Sequence, residues 1–296
     1  MKKQGLKKAP LIHSVIQLRF TTIPEVEKIS EVNMSQLHQK MIDQGFPEKI
    51  IAKLNQLAIS VDTSSSQAKN VKTEMTRHLF RSAGELETIE LLSNENVTSL
   101  ILKSSSYENF KSFYQKFHAL LTICLEVFPG LSKTLLKSIE LRYVDLIVPN
   151  KSHTLSDFVL GGIIPMQLKT LGTNQHLHGF SQRYVTTSVG SQLRVAFEEI
   201  PTGSHKALTK ILPDDLGEKD PTCGLVIPIQ DVWSDIESPT YGILDIQNGK
   251  EFQGSPKIDL NSIQTESKAL YQDCSNVFWE VITPKAKKLW EIYDVE

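Results

Sequence analysis

The sequence predicts an α+β protein made of two tandem related halves, each an antiparallel sheet with helices packed on one face. Three observations predict this. Short β-branched and apolar runs alternate with turn chemistry, and two long stretches carry apolar residues at helical spacing. Ile16-Gln17-Leu18-Arg19-Phe20 is also echoed by Ile139-Glu140-Leu141-Arg142-Tyr143. Each copy heads a segment that runs strand, helix, several strands and a long amphipathic helix, which places the halves at 1–135 and 136–296.

In the first half, residues 10–20 read as a strand. Met34, Leu37 and Met41 then recur at helical spacing, with Gly45 as a natural stop. Pro47 suits a first helical position, and Ile50, Ile51, Leu54 and Leu57 suggest a second helix. Residues 60–70, polar and serine-rich, read as an exposed loop. Strands are expected near 77–83, 86–92 and 97–103. The stripe from Tyr107 through Phe113, Phe117 and Leu121 to Cys124 marks a core-facing helix, closed by Pro129-Gly130.

The second half opens on the strand 139–149, followed by a helix around 153–160 that Gly161-Gly162 breaks. Strands at 180–189 and 192–200 are joined at Val189-Gly190-Ser191, and the Pro-, Gly- and Asp-rich segment 201–222 reads as a long loop. Strands at 223–230 and 240–247 precede a helical region over 259–292.

Composition narrows the function classes. A formal net charge of -2 on 296 residues argues against nucleic acid as a partner. The lysines before residues 9–20 lack the unbroken apolar run and cleavage site of a secretory leader, and no transmembrane segment is legible. Cys124, Cys223 and Cys274 form no paired motif and read as buried, reduced thiols, so a cytoplasmic location is expected.

The standard catalytic signatures are missing: no dinucleotide or phosphate loop, no nucleophile elbow, no zinc helix. His176 and His178, two apart on a strand, would project to one face and are the best metal candidates, but two ligands are too few. Asp214, Asp215, Glu218 and Lys219 are similar to the acidic signature of a large nuclease superfamily. Their crowding into one short loop favours a solvated acidic turn. Asp145, Glu198, Glu199 and Asp245 share predicted strands with Arg142, Arg183 and Arg194, so pairing across the sheet explains them without catalysis, and Arg142 is expected to meet a carboxylate within the sheet. The segment from Pro284 through three lysines to Leu289 and Trp290 reads as a solvated face with the two apolar residues turned inward.

Four stretches taken together are Ala9 to Phe20, Leu141-Arg142-Tyr143-Val144-Asp145, Leu244-Asp245-Ile246 and Phe278 to Thr283. In this order they resemble a sporadically distributed, uncharacterised family of bacterial proteins of similar length. That family opens with A-P-[LI]-x-x-V-I-x-L-R-F and carries a central L-R-Y-[IV]-[ND]. Its members typically have an acidic residue where His13 stands and an asparagine where Asp145 stands. The resemblance supplies no reaction. Its patchy distribution implies mobile genes of the kind that encode phage-defence or toxin-neutralising modules.

The resulting expectation is a non-enzymatic binding or sensing component of a bacterial multi-protein module, with a protein partner from a neighbouring gene, no cofactor and no catalytic residue. A homo-oligomer remains open. One alternative is a metal-dependent hydrolase or nuclease using Asp145, Asp245 and His176 or His178. Another is a small-ligand receptor with its pocket between the halves. Arg142 and Asp145, inside the central strand, are the residues on which these readings turn.

Overall fold

The computed structural model describes residues 4–62, 67–94, 96–150, 152–166, 178–204, 206–230, 233 and 236–294, with backbone alone for 54–62 and 67–74. Its elements run β1 (Gln4–Leu6), β2 (Leu11–Thr21), α1 (Pro24–Glu27), α2 (Glu31–Asp43), β3 (Glu48–Asp62), β4 (Gln67–Arg81), β5 (Glu87–Ser93), β6 (Val97–Ser104) and α3 (Phe110–Val127). They continue with β7 (Leu136–Ile147), β8 (Gly179–Thr186), β9 (Gln192–Pro201), β10 (Thr240–Glu251), α4 (Leu260–Val281), α5 (Pro284–Leu289) and β11 (Ile292–Asp294).

The strands of both halves join in one nine-stranded antiparallel sheet, ordered β3-β4-β5-β6-β2-β7-β10-β9-β8 among the described residues. The two echoing strands lie at its centre, side by side. Ile16 faces Leu141, Gln17 faces Glu140 and Leu18 faces Ile139. Outward from this pair, β6 lies beside β2 as β10 lies beside β7, and the preceding strands follow in reverse order on each side.

Strand alternation gives the sheet two faces. One carries Ile16, Leu18, Ile139, Leu141, Leu244 and Ile246, all nearly solvent-free, and packs with α2, α3 and α4 in a single core. The helices are set by their caps and stripes. Asn109 accepts from the Ser112 amide (2.9 Å) to start α3, and Phe113, Phe117, Leu120, Leu121 and Cys124 point inward at i, i+3, i+4 spacing. Asp259 caps α4 in the same way. Gly45, at φ 87°, takes the left-handed conformation that ends α2.

The other face carries a smaller core of Ile12, Val144, Leu146, Ile200, Trp233, Tyr241 and Ile243. No α-helix of eight or more residues covers it among the described residues. Its cover is the segment between β9 and β10, whose Leu208, Ile211, Leu212 and Leu216 pack against it.

Several expected elements differ. Residues 48–62 form strand β3 instead of a helix after Pro47. Ile50 and Ile51 suit both periodicities, but β3 finds a full-length partner in β4 and the hydrogen-bonded ladder decides. That ladder also replaces the expected loop at 60–70, running to Asp62↔Gln67; only 63–66 lie outside the described residues. The expected helix at 153–160 is a single 3-10 turn, Leu155–Asp157, held by reciprocal bonds between Thr154 and Asp157. Residues 223–230 form no strand: their backbone bonds the Arg81 side chain, the Glu85 carbonyl and the Ser105 hydroxyl instead of a neighbouring strand. The C-terminal helix breaks at Thr283-Pro284, because proline has no amide to continue the ladder, and ends in β11, which pairs with β1.

Candidate functional site

The charged residues of the central strands gather on the face away from the helices. Arg142 pairs bidentately with Asp245 through two 2.8 Å bonds and with Asp215 at 2.5 and 2.9 Å. Arg194 donates to the same Asp245 carboxylate. Arg142 and Asp245 are buried and stand diagonally across the β7–β10 ladder, where Asp245 faces Val144 and Gln247 faces Arg142. The expected carboxylate for Arg142 is therefore present in the sheet, and Asp215 adds a second from outside it. Burial would weaken the Arg142 charge, but bonds to Asp215 and Asp245 outweigh it and hold the guanidinium firmly protonated. The same contact holds Asp215 below the usual carboxylate range.

A second cluster of the same form lies across the central pair. Arg77 on β4 binds Glu90 on β5 at 3.0 and 2.8 Å, and Lys103 on β6 reaches Glu90 at 2.7 Å. Glu218 closes the set on Arg77 at 2.7 Å. Burial opposes ionisation of Glu90, yet Lys103 and Arg77 hold its carboxyl below the ordinary value. Between the clusters sits His13, nearly solvent-free, with no partner for its Nδ1 among the described residues. Burial, then the Lys103 and Arg142 charges, push its pKa down to about 3, so the imidazole is neutral.

Asp215 and Glu218 both come from the strap, Thr202–Pro239, which joins β9 to β10. The turn expected at 213–219 is exposed at Asp214, Asp215 and Gly217 to Lys219, but Asp215 and Glu218 also reach down to the buried Arg142 and Arg77, which the sequence does not foresee. Charge attraction to the buried guanidinium groups of Arg142 and Arg77 decides their position, and spacing in the sequence carries no signal for that.

Asp145 stands apart. Its register partners are Leu11 and Leu244, which puts it on the helix-covered face with Tyr143 and Ile147, opposite Arg142. It is buried. Burial, assisted by the Asp245 charge, pushes its pKa up to about 8, so the carboxyl is protonated at neutral pH. A strand irregularity lies beside Asp145 in the neighbouring β2, where register slips between Leu11 and His13 and Ile12 is the extra residue.

The residues of the metal reading do not converge. Asp145 and Asp245 alternate to opposite faces, and Asp245 is held by two arginines. His178 bonds Glu198 at 2.7 Å, but Lys210 occupies the same oxygen at 2.8 Å. His176 lies outside the described residues. Among the described residues, no group of three histidine, cysteine or acidic side chains is placed to hold a metal ion.

An open cavity of about 290 Å³ lies beside Asp245, lined also by Phe180, Arg194, Glu198, Lys210 and Asp214. It belongs to the second half alone, not to a junction between halves as the receptor reading expected. The three cysteines are buried free thiols. Near the C-terminus Trp290 is buried, Lys285 pairs with Asp157 at 3.0 Å and Lys287 lies over the Trp279 ring. No helix among the described residues is long and apolar enough to cross a membrane.

Sequence reasoning missed Arg77, Glu90 and Lys103. Their alternation with apolar neighbours on adjacent strands was the available signal. Comparison of the chain with protein-family models, curated proteins and solved structures finds no match.

Proposed function

We propose that the protein is a non-enzymatic binding component of a bacterial multi-protein module that captures a protein partner through the β8 edge of its sheet. The supporting observation is the composition of that edge. Among the described residues β8 pairs with β9 alone, and it exposes Phe180, Tyr184 and Val185, with Tyr184 at 67%, beside one charge at Arg183. An edge strand left open to pairing normally carries charge or a bulge as protection; an apolar one suits addition of a partner's strand. Asp245 is engaged by two arginines, Glu198 by Lys210 and His178, and Asp145 is buried and protonated. This is consistent with a binding surface. The resemblance of the chain to mobile bacterial genes supports a partner encoded nearby, in a phage-defence or toxin-neutralising setting.

The test is affinity capture from the native host. The wild-type chain is expected to recover the product of a neighbouring gene, and Phe180→Glu with Tyr184→Glu to lose it while the far-ultraviolet circular dichroism is unchanged. Recovery that is equal with the double variant, or absent with the wild type, overturns the reading.

A further inference from the structure

β9 and β10 meet at Pro201↔Thr240, where about two residues would close an antiparallel hairpin. The chain instead inserts the whole strap, Thr202–Pro239. Among its described residues the strap contains one 3-10 turn, Pro221–Cys223, and neither strand nor α-helix. So long a connection without its own secondary structure is unusual in a compact fold and is usually functional.

The strap crosses the sheet from one half to the other. From Thr209 and Lys210, held over β10 by Tyr241, it reaches the ends of β4 and β6, where Gly224 accepts from Arg81 and Val226 contacts Glu85 and Ser105, and it returns to Pro239, whose carbonyl accepts from the Thr202 amide. On the way it completes both charge clusters. Without the strap, one cluster holds Arg142 and Arg194 against Asp245, and the other holds Arg77 and Lys103 against Glu90. Each then carries two cations and one anion. Asp215 and Glu218, three residues apart, supply the two missing negative charges. The Asp215 side chain is 64% exposed, so this contact is at the rim, and the cavity of about 290 Å³ undercuts the strap there and reaches Arg194 and Asp245.

We infer that the sheet face under the strap is a binding site for an extended acidic segment of a partner protein, one presenting two carboxylates at the Asp215–Glu218 spacing, and that the strap is its built-in competitor. Two surplus cations under a segment fastened chiefly by side chains form a receptor already occupied by a segment of the same chain. Opening the strap leaves Arg142 and Arg77 each short of one carboxylate, and a partner's acidic segment restores both. This rests on the reading of the protein as a binding component and names the chemistry of what it binds.

The experiment uses the full chain and a fluorescein-labelled synthetic peptide of residues 211–220, read by fluorescence anisotropy at low salt. The full-length D215N/E218Q variant, whose own strap no longer neutralises the clusters, is expected to bind the peptide about tenfold or more tightly than wild type, because an intramolecular competitor acts at high effective concentration. A peptide carrying the same two substitutions is expected not to bind. Equal binding by variant and wild type, or none by a folded variant, overturns the inference. If the variant does not fold, hydrogen exchange on the wild type decides. Strap amides that exchange through an opening well below that of β9 and β10 support the competitor, and strap amides released only with the global core overturn it. The peptide comes from this chain, so its failure leaves capture through β8 standing, and loss of capture leaves the peptide result standing.

Discussion

Arg142 and Asp145 sit three residues apart on one strand, yet alternation separates their environments. Arg142 is satisfied by two carboxylates, and removing it leaves Asp245 buried with Arg194 alone. Arg142→Met is therefore expected to destabilise the fold by about 3 kcal/mol in urea unfolding, because breaking one side of a buried pair strands its partner. Asp215→Asn, at the exposed rim, should cost no more than about 1 kcal/mol. Asp145 behaves oppositely. In the folded chain its carboxyl keeps its proton up to about pH 8, whereas an unfolded aspartate loses it near 4. Between those values the native state holds the extra proton, so this group's contribution falls as pH rises. His13 runs the other way: the unfolded imidazole gains a proton below about 6.5 and the buried one refuses it until about 3, so its contribution falls as pH drops. The two offset each other between about 4 and 6.5 and leave a decline from Asp145 alone up to about 8. Asp145→Asn should remove that decline, gaining on wild type by up to about 1.4 kcal/mol per pH unit. Urea midpoints at pH 6, 7 and 8 check it; parallel curves for the two proteins refute it.

At the scale of elements, Tyr241 supplies a cluster of hydrogen bonds between β10 and the strap. The fully buried Tyr241 hydroxyl accepts from the Thr209 and Lys210 amides at 3.0 and 2.9 Å and donates to the Lys210 carbonyl at 2.8 Å. Tyr241→Phe keeps the ring in the small core and removes these bonds together with the 3.1 Å bond to the Thr209 hydroxyl. It should cost about 1 to 3 kcal/mol and speed hydrogen exchange at Thr209 and Lys210 while leaving β9 and β10 protected. The β3–β4 hairpin is the other notable element. Its ladder continues from Leu54↔Met75 to Asp62↔Gln67, past the last β4–β5 pair at Thr76↔Ser93, and so forms a two-stranded arm about 30 Å long at ~3.3 Å per residue. An apolar spacing that fits a helix concealed this arm, because Ile50, Ile51, Leu54 and Leu57 satisfy a helical stripe as well as a strand. By contrast α3 was legible in detail, since its aromatic stripe is long enough to allow one periodicity only.

Across the whole molecule, the helix-side core mixes residues of both segments, and β2 and β7 pair along nearly their full lengths at the sheet centre. A chain cut after residue 135 would expose β2 as an unpaired apolar edge and lose much of that core. Residues 1–135 alone are therefore expected to be unfolded or aggregated, and the intact protein to unfold in a single cooperative transition, with circular dichroism and tryptophan fluorescence coincident. Two separated transitions would show that each segment is stable by itself.

The α+β class, the central strands, α3, the main part of α4, the burial of the three cysteines and the engagement of Arg142 by a carboxylate in the sheet were all legible along the chain. These follow from local periodicity and from the cost of burying an unpaired charge, both readable along one strand or helix. Strand pairing in three dimensions was needed to show that the two echoing strands meet at the centre of one sheet, that Arg142 and Asp145 face opposite ways, one charged and the other neutral, and that an acidic loop reaches across both segments to two guanidinium groups. Those outcomes depend on which strands become neighbours and on where water is excluded, and neither is carried by the spacing of residues along the chain.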